Sequence, residues 1–416
     1  MMGEFPELFI TMNADNDVAP FTDRDTWLNS TATMTSPNPD FEFEDLRVRI
    51  RGRGRSSWSQ HKDKRSIRLR FRDGNRHLLD SSHAHRDWVL VANHGDKSLQ
   101  RNYTAYHLAG LLEGMEWSPF ARFVHLHVDG KYMGVYLLAD ERSQGEGRVE
   151  LAQDDDPALC EYLIEQDWRL FRNEVEGVGY FRINTHAKGI SGVSSTTDIP
   201  EGYERDQLYE LRYPRGDYNT PEHVEFARAF MHEASSAIRS QDWARILKYV
   251  DIPSMIDYYL VQELFKNVDT GFSSVFITFR GLGDERRLYM GPVWDFDVAA
   301  GNTSWMNNDP DGRYAHRRSY RYANLSGVPE FRKLARMRFA EFQVKLAETA
   351  AHVREMSVLF ESDFARNFER HNILGKELWP NPDHVVEIDT FEGQVEYMLG
   401  FLEQRAEYLA GDFKKW

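Results

Sequence analysis

Asp269, Asp295 and Asp297 are the residues whose type and setting most suggest chemistry. They sit in two short runs, Phe265-Lys266-Asn267-Val268-Asp269-Thr270-Gly271 and Gly291-Pro292-Val293-Trp294-Asp295-Phe296-Asp297, among large apolar side chains. A carboxylate in such company is paired, bound to a metal or catalytic, because an unpaired buried charge costs several kcal/mol. Asp295 and Asp297 are two residues apart, which on an extended segment puts both side chains on one face. Two oxygen donors on one face suit a hard cation such as Mg2+, which fills its shell with water and phosphate oxygens. Asp269, between a helix and a strand, is placed to orient an attacking hydroxyl. An acid in a loop, a hairpin and then a metal-binding Asp is the order of parts in phosphoryl-transfer sites of the kinase type. A plainer reading stands beside this one: Asp269 as a turn residue before Gly271, and Asp295 as the partner of an arginine.

The elements that would position these residues follow from periodicity and punctuation. Before the first acid, helices are expected over about 221–239, 242–249 and 253–267, with Thr220 and Pro221 as cap and first residue of the first. After it, a hairpin is expected over 274–298, then a polar loop over 301–325. Amphipathic stripes predict closing helices at 329–350, 351–371 and 390–411. Upstream, strands are expected at Glu161–Gln166, Gly179–Ile183 and Leu208–Tyr213, with a polar loop near 187–205. Nearer the start, period-two alternation predicts a strand at Glu7–Met12, a short one near Ser30–Thr35 and another over Asp87–Asn93. A helix is expected over Ser98–Glu113. A hairpin over Phe123–Leu138 would turn at Asp129-Gly130. The expected division is an N-terminal β/loop extension at 1–45, a β-rich region at 46–144 and a mainly helical region at 145–416, an α+β chain.

The block from Arg47 to Arg72 differs from the rest. It holds eleven Lys or Arg and one acid, Asp63, in a chain of net charge −15. Arg47-Val48-Arg49-Ile50-Arg51 and Ile67-Arg68-Leu69-Arg70-Phe71 both alternate, so two antiparallel strands with one basic face each are expected. Gly52-Arg53-Gly54-Arg55 lies between them. Three uses compete: a solvated charged face, an RNA-binding strip with interleaved aromatics, and a clamp in which backbone amides and cations approach phosphates.

The 416 residues and 41% hydrophobic content allow a large core. The acidic balance argues against nucleic acid as the partner of the whole chain. One cysteine, Cys160, excludes an internal disulfide framework. No apolar run is long enough to span a membrane, and the start lacks a basic region followed by an apolar core. Cytoplasmic location is the default expectation.

Over residues 46–302 the chain resembles the spore coat protein H (CotH) kinase family. The resemblance rests on Ile50-Arg51-Gly52-Arg53-Gly54 with Ser56-Ser57-Trp58; Lys64-Arg65 before Ile67–Phe71; Asp96-Lys97-Ser98 with Arg101-Asn102; Asp129-Gly130-Lys131-Tyr132-Met133-Gly134-Val135-Tyr136-Leu137; Tyr162-Leu163-Ile164-Glu165; Glu263-Leu264-Phe265-Lys266-Asn267-Val268-Asp269; and Gly291 to Asp297. It implies a two-lobed atypical protein-kinase-like fold that transfers the γ-phosphoryl group of ATP to a protein hydroxyl with Mg2+ or Mn2+. Carried over by position, it makes Asp269 the catalytic-loop acid and Asp295, with Asp297, the metal ligand. Lys64 with Arg51 or Arg53 becomes the α/β-phosphate contact, Glu141 the residue where a hinge meets adenine, and Asn267 and Ser274 supporting partners. The sequence departs from the family at Arg55, usually Asn, at Lys64-Arg65, usually a Lys pair, and at Cys160-Glu161, usually Gly-Gly. Arg is a planar fork where Lys is a point charge, so these departures bear on the phosphate side. The same fold with reoriented phosphates would transfer an adenylyl group or activate a carboxylate for amino-acid ligation. A third reading is a binding protein without turnover. Intact Asp269, Asp295 and Asp297 argue against the third.

Overall fold

The computed structural model describes residues 4–167, 179–185, 206–271, 273–305 and 309–416. In its first part β1 (Glu7–Met12), β2 (Leu28–Thr35) and β3 (Phe43–Gly52) precede a short helix α1 (Ser56–Gln60), then β4 (Ile67–Phe71) and β5 (Asp87–Val91). Helix α2 (Arg101–Gly110) follows, then β6 (Ala121–Val128) and β7 (Lys131–Asp140). The seven strands form a closed barrel in the order β1-β2-β3-β4-β5-β7-β6. Closure comes from β1, which lies parallel to β6 with Leu8 opposite Leu126. The stretch expected as an N-terminal extension thus supplies two barrel strands. Alternation decides which side chains enter: Val48, Ile50, Ile67, Leu69 and Phe71 are buried in the barrel core with Trp88 and Leu126, and the intervening arginines face outward. At the β6–β7 turn Asp129 and Gly130 take φ of 47° and 73°, as a tight hairpin requires.

The second part holds β8 (Tyr162–Gln166), β9 (Tyr180–Asn184), β10 (Asp206–Tyr213), α3 (Pro221–Ser240), α4 (Trp243–Ile246), α5 (Ile252–Phe265), β11 (Val275–Arg280) and β12 (Arg287–Met290). These strands form an antiparallel sheet ordered β12-β11-β8-β10-β9. Helices α6 (Ala315–Arg318), α7 (Tyr320–Leu325), α8 (Pro329–Leu359), α9 (Glu361–Arg370), α10 (Asp383–Val386) and α11 (Phe391–Phe413) complete the chain. The content is α+β, sheet-rich at the start and helical towards the end. Helix α5 is buried along nearly its whole length, so it reads as apolar rather than amphipathic. One continuous apolar cluster joins it to α2, β6, β8, α8 and α11. Among the described residues no helix is long and apolar enough to cross a membrane.

Several boundaries differ from expectation. α2 starts at Arg101, not Ser98, because Asp96 accepts from Ser98 N, Ser98 Oγ and Arg101 N and holds 98–100 in a turn. The 301–325 stretch is not only loop. Glu263 accepts from the Tyr314 and Ala315 amides, giving α6 a carboxylate at its start. The break expected at 350 falls at Phe360, whose ring stacks on Phe5 at 4.5 Å. Nothing in the Ala-rich 347–351 run stops a helix, whereas docking on the barrel does. The 187–205 loop lies outside the described residues.

Candidate functional site

The two acid-bearing runs meet because α5 ends beside the irregular segment that follows β12. Ala300 N donates to Phe265 O at 2.7 Å, and Val268 N to Val298 O at 3.4 Å. Asn267 completes the join: its Oδ1 accepts from Asp269 N at 3.1 Å and its Nδ2 donates to Asp295 O at 3.1 Å. Asn267 is therefore a positioning residue whose amide is used within the protein. Ser274 Oγ donates to Asp295 Oδ2 at 3.0 Å.

The expectation that Asp295 and Asp297 share the face of an extended segment is corrected. β12 stops at Met290, and Asp295 takes a left-handed φ of 66°. Lys266, Ser274 and Ala300 are also left-handed, at 45°, 51° and 46°. Such conformations cost about 1 kcal/mol or more each in non-glycine residues and persist where the surroundings fix them. The bend still brings the acids together. Burial, then the neighbouring charges of Asp295, Asp269 and Asp96, push the Asp297 carboxyl well above its usual range.

Behind this loop stands the start of α2. The Arg101 guanidinium, fully buried, donates to Ala299 O at 3.0 Å, Ala300 O at 3.2 Å and Asp96 Oδ1 at 2.5 Å. Asn102 Oδ1 accepts from Phe296 N at 2.7 Å. Asn302 Nδ2 donates to Asp297 O at 2.7 Å and to Gly95 O at 3.0 Å. Arg101 and Asn102 were visible in the sequence as part of a motif, but their role as supports was not. It depends on which backbone groups the fold presents to them.

In front of the loop is a cavity of about 280 Å³ lined by seven arginines and six carboxylates, among them Arg51, Arg53, Arg55, Glu141 and Asp295. Trp294, Gly52, Gly54 and Ser274 also line it. Arg53 lies over the Trp294 ring at 5.1 Å, and Arg142 over the same ring at 4.6 Å. Neither Arg53 nor Arg55 makes an ion pair among the described residues. Glu141 reaches the cavity, but as a counter-ion: it lies 3.5 Å from Arg68 and 3.4 Å from Arg142. Burial alone would raise its pKa, yet Arg68, Arg142, Arg53 and Arg212 hold it at about 2. Glu165 and Arg212, 3.4 Å apart, form the far wall. Arg142 and Arg212 gave no sequence signal, since a lone arginine after or within a strand reads as surface.

Lys64 is not brought to this cavity. It is fully buried, and its ammonium donates to Val135 O at 2.6 Å and Asn367 Oδ1 at 2.9 Å. Burial lowers its pKa to about 7. Nor do the glycines of the Gly52–Gly54 turn form an open cradle. A Cβ on Gly52 would meet the Trp58 ring at 2.3 Å, and the Arg53 amide already donates to Ser66 O. The turn brings arginine side chains to the cleft; its glycine is required by tryptophan packing.

The donor set suits a hard cation. Among the described residues no group of three or more His, Cys, Asp or Glu could hold a metal. Asp295 and Asp297 are the two carboxylates that would hold one, with Arg53 and Arg55 beside them for phosphate oxygens. A family model described as CotH kinase protein matches residues 48–409, nearly the whole chain. No curated protein sequence matches it. The family match extends well beyond the motif-bearing part into α11, and it points to a kinase-like function. The chain belongs to the CotH kinase family.

Proposed function

We propose that the chain is a protein kinase of two-lobed, kinase-like design that uses Mg2+ and ATP to phosphorylate a protein hydroxyl. The barrel with α2 is the first lobe, and the five-stranded sheet with the later helices is the second. One observation carries the reading: Asp269, Asp295 and Asp297 come from two loops to one neighbourhood, where burial and then their mutual charge raise the Asp297 carboxyl well above its usual range, beside a cavity in which Arg53 and Arg55 have no acid partner among the described residues. Carboxylates gathered at such cost are relieved by a divalent cation.

Asp295 and Asp297 would hold Mg2+, or Mn2+, whose charge offsets that of the transferring phosphate. Arg53 and Arg55, free of acid partners among the described residues, would take phosphate oxygens, with Arg51 beside them. Arg53 and Arg51 fill the phosphate role that the family pattern gives to Lys64. Asp269 would accept a hydrogen bond from the acceptor hydroxyl and orient it, with Asn267 fixing its distance from the metal loop. Glu141 would set the geometry of Arg68 and Arg142 and meet the nucleotide through them.

The test is mass spectrometry of nucleotide and protein after incubation with Mg2+ and ATP, with Asp295→Asn alongside. ADP and a phosphate-sized gain on Ser, Thr or Tyr are expected, falling roughly 10³-fold in the variant. AMP with an adenylyl or amino-acid gain would replace this reading with one of the other ATP-dependent transfers. Equal turnover in Asp295→Asn would remove the metal assignment.

A further inference from the structure

The outward face of β3 and β4 holds cations opposite cations. Arg49 pairs with Arg70 across the two strands and Arg51 with Arg68. Like charges directly opposite destabilise a strand pair, so this arrangement needs a compensating feature. Trp27 supplies part of it. Its ring centre lies 5.5 Å from the Arg49 guanidinium, 5.1 Å from Arg51, 6.0 Å from Arg68 and 4.9 Å from Arg70. Acids supply another part: Asp87 is 2.7 Å from Arg70 and 3.4 Å from Arg68, Glu141 is 3.5 Å from Arg68, and Asp25 is 3.9 Å from Arg51. Among the described residues Arg49 has no acid partner, and its buried Nε has no hydrogen-bond partner, nor has that of Arg51. Positive charge is left over, held in planes by one ring. Arg51 and Arg68 also line the cleft, so the basic face begins at the candidate site and continues along the barrel to Arg49.

We propose that this face is a docking strip for an Asp- or Glu-rich extended segment of the acceptor protein. The proposal rests on the kinase reading for the word acceptor, and on the strip alone for the binding. Alternate residues of a strand are about 7 Å apart, so Arg49 stands one such step beyond Arg51, where an acidic side chain of an extended peptide lying along β3 meets it while Arg51 serves the cleft. Guanidinium planes ordered on an aromatic ring are set for bidentate contact with carboxylates. The surface is ill suited to RNA. Single-stranded RNA needs open aromatic faces for its bases, and the one ring here is surrounded by guanidiniums. The strip is also a local exception on a chain of net charge −15.

The experiment uses fluorescence anisotropy of the full chain with a labelled peptide of alternating Glu and Ala around one Ser, and its Gln counterpart. The Glu peptide should bind, and the Gln peptide at least about tenfold more weakly. Arg49→Glu should weaken the Glu peptide about tenfold or more, with melting temperature and its shift by Mg2+-ATP unchanged. Arg49→Gln serves if the reversal unfolds the chain, and raised ionic strength should weaken binding too. No binding of the Glu peptide, equal binding of the Gln peptide, unaltered binding in a folded Arg49 variant, or tighter binding of oligouridylate would each overturn the proposal. Binding is read without turnover. A chain that holds the Glu peptide yet transfers nothing therefore separates failure of the kinase reading from failure of the strip.

Discussion

The regions behind and in front of the Asp295–Asp297 loop treat polar groups in opposite ways. Behind it, Arg101 uses all three guanidinium nitrogens on Asp96, Ala299 and Ala300, and Asn102 and Asn302 use their amides on Phe296, Asp297 and Gly95. In front of it, Arg53 and Arg55 lack acid partners among the described residues, and carboxylates crowd one another. A satisfied buried network fixes the backbone in its left-handed conformation, and charge is left uncompensated where a ligand can reach it.

Breaking the rear network should have the largest effect. Arg101→Met leaves Asp96 as a buried charge without its partner, and should cost about 3–5 kcal/mol of stability in urea denaturation. An unchanged midpoint would mean that the network is not what holds the loop. Asn102→Ala is a finer cut. It removes the acceptor of Phe296 N and should slow transfer by about 10- to 100-fold, with a much smaller change in KM for ATP. A rise in KM with kcat intact would assign Asn102 to binding instead.

The front should answer differently. Arg53→Gln should weaken ATP about tenfold, a loss of one charge-assisted contact, and leave the melting temperature unchanged because no internal ion pair is lost. A large fall in melting temperature would show that Arg53 belongs with the rear set. The smallest effect concerns pH. His61, His94 and His371, close to Lys64, are held neutral by burial and then by the Lys64 charge, at about 4, 2 and 4. Their folded pKa values lie below the unfolded 6.5, so the fold binds fewer protons there. Their contribution is fully present above about 6.5 and is lost as pH falls towards 4. Melting temperature should decline over that window, and His61→Phe should flatten the slope.

Much of the barrel was legible in residues. Val48 to Phe71 alternates strictly, and a period of two can only mean one face in and one face out. The β6–β7 turn was legible in Asp129-Gly130 for an equally local reason. The barrel's closure was not: β1 and β6 meet across more than a hundred residues, and nothing in Glu7–Met12 names its partner. Among site residues, Asp269, Asp295 and Asp297 stood out because acids among Phe and Trp are costly unless used. Lys64 shows the limit of carrying roles by position. Its place in the motif suggested a phosphate contact, and only the packing of Asn367 and Val135 around its ammonium shows that it is enclosed.

The strands, most helices, the candidate acids and the family could be read from the chain alone, because periodicity, caps and motif order are local properties. Folding decided which cations face the cleft, that Glu141 is held by arginines, and that α2 supports the Asp295–Asp297 loop from behind. These facts depend on contacts between residues far apart in the chain, such as Arg101 with Ala300, and a side chain's charge takes its meaning from the partners that folding brings to it.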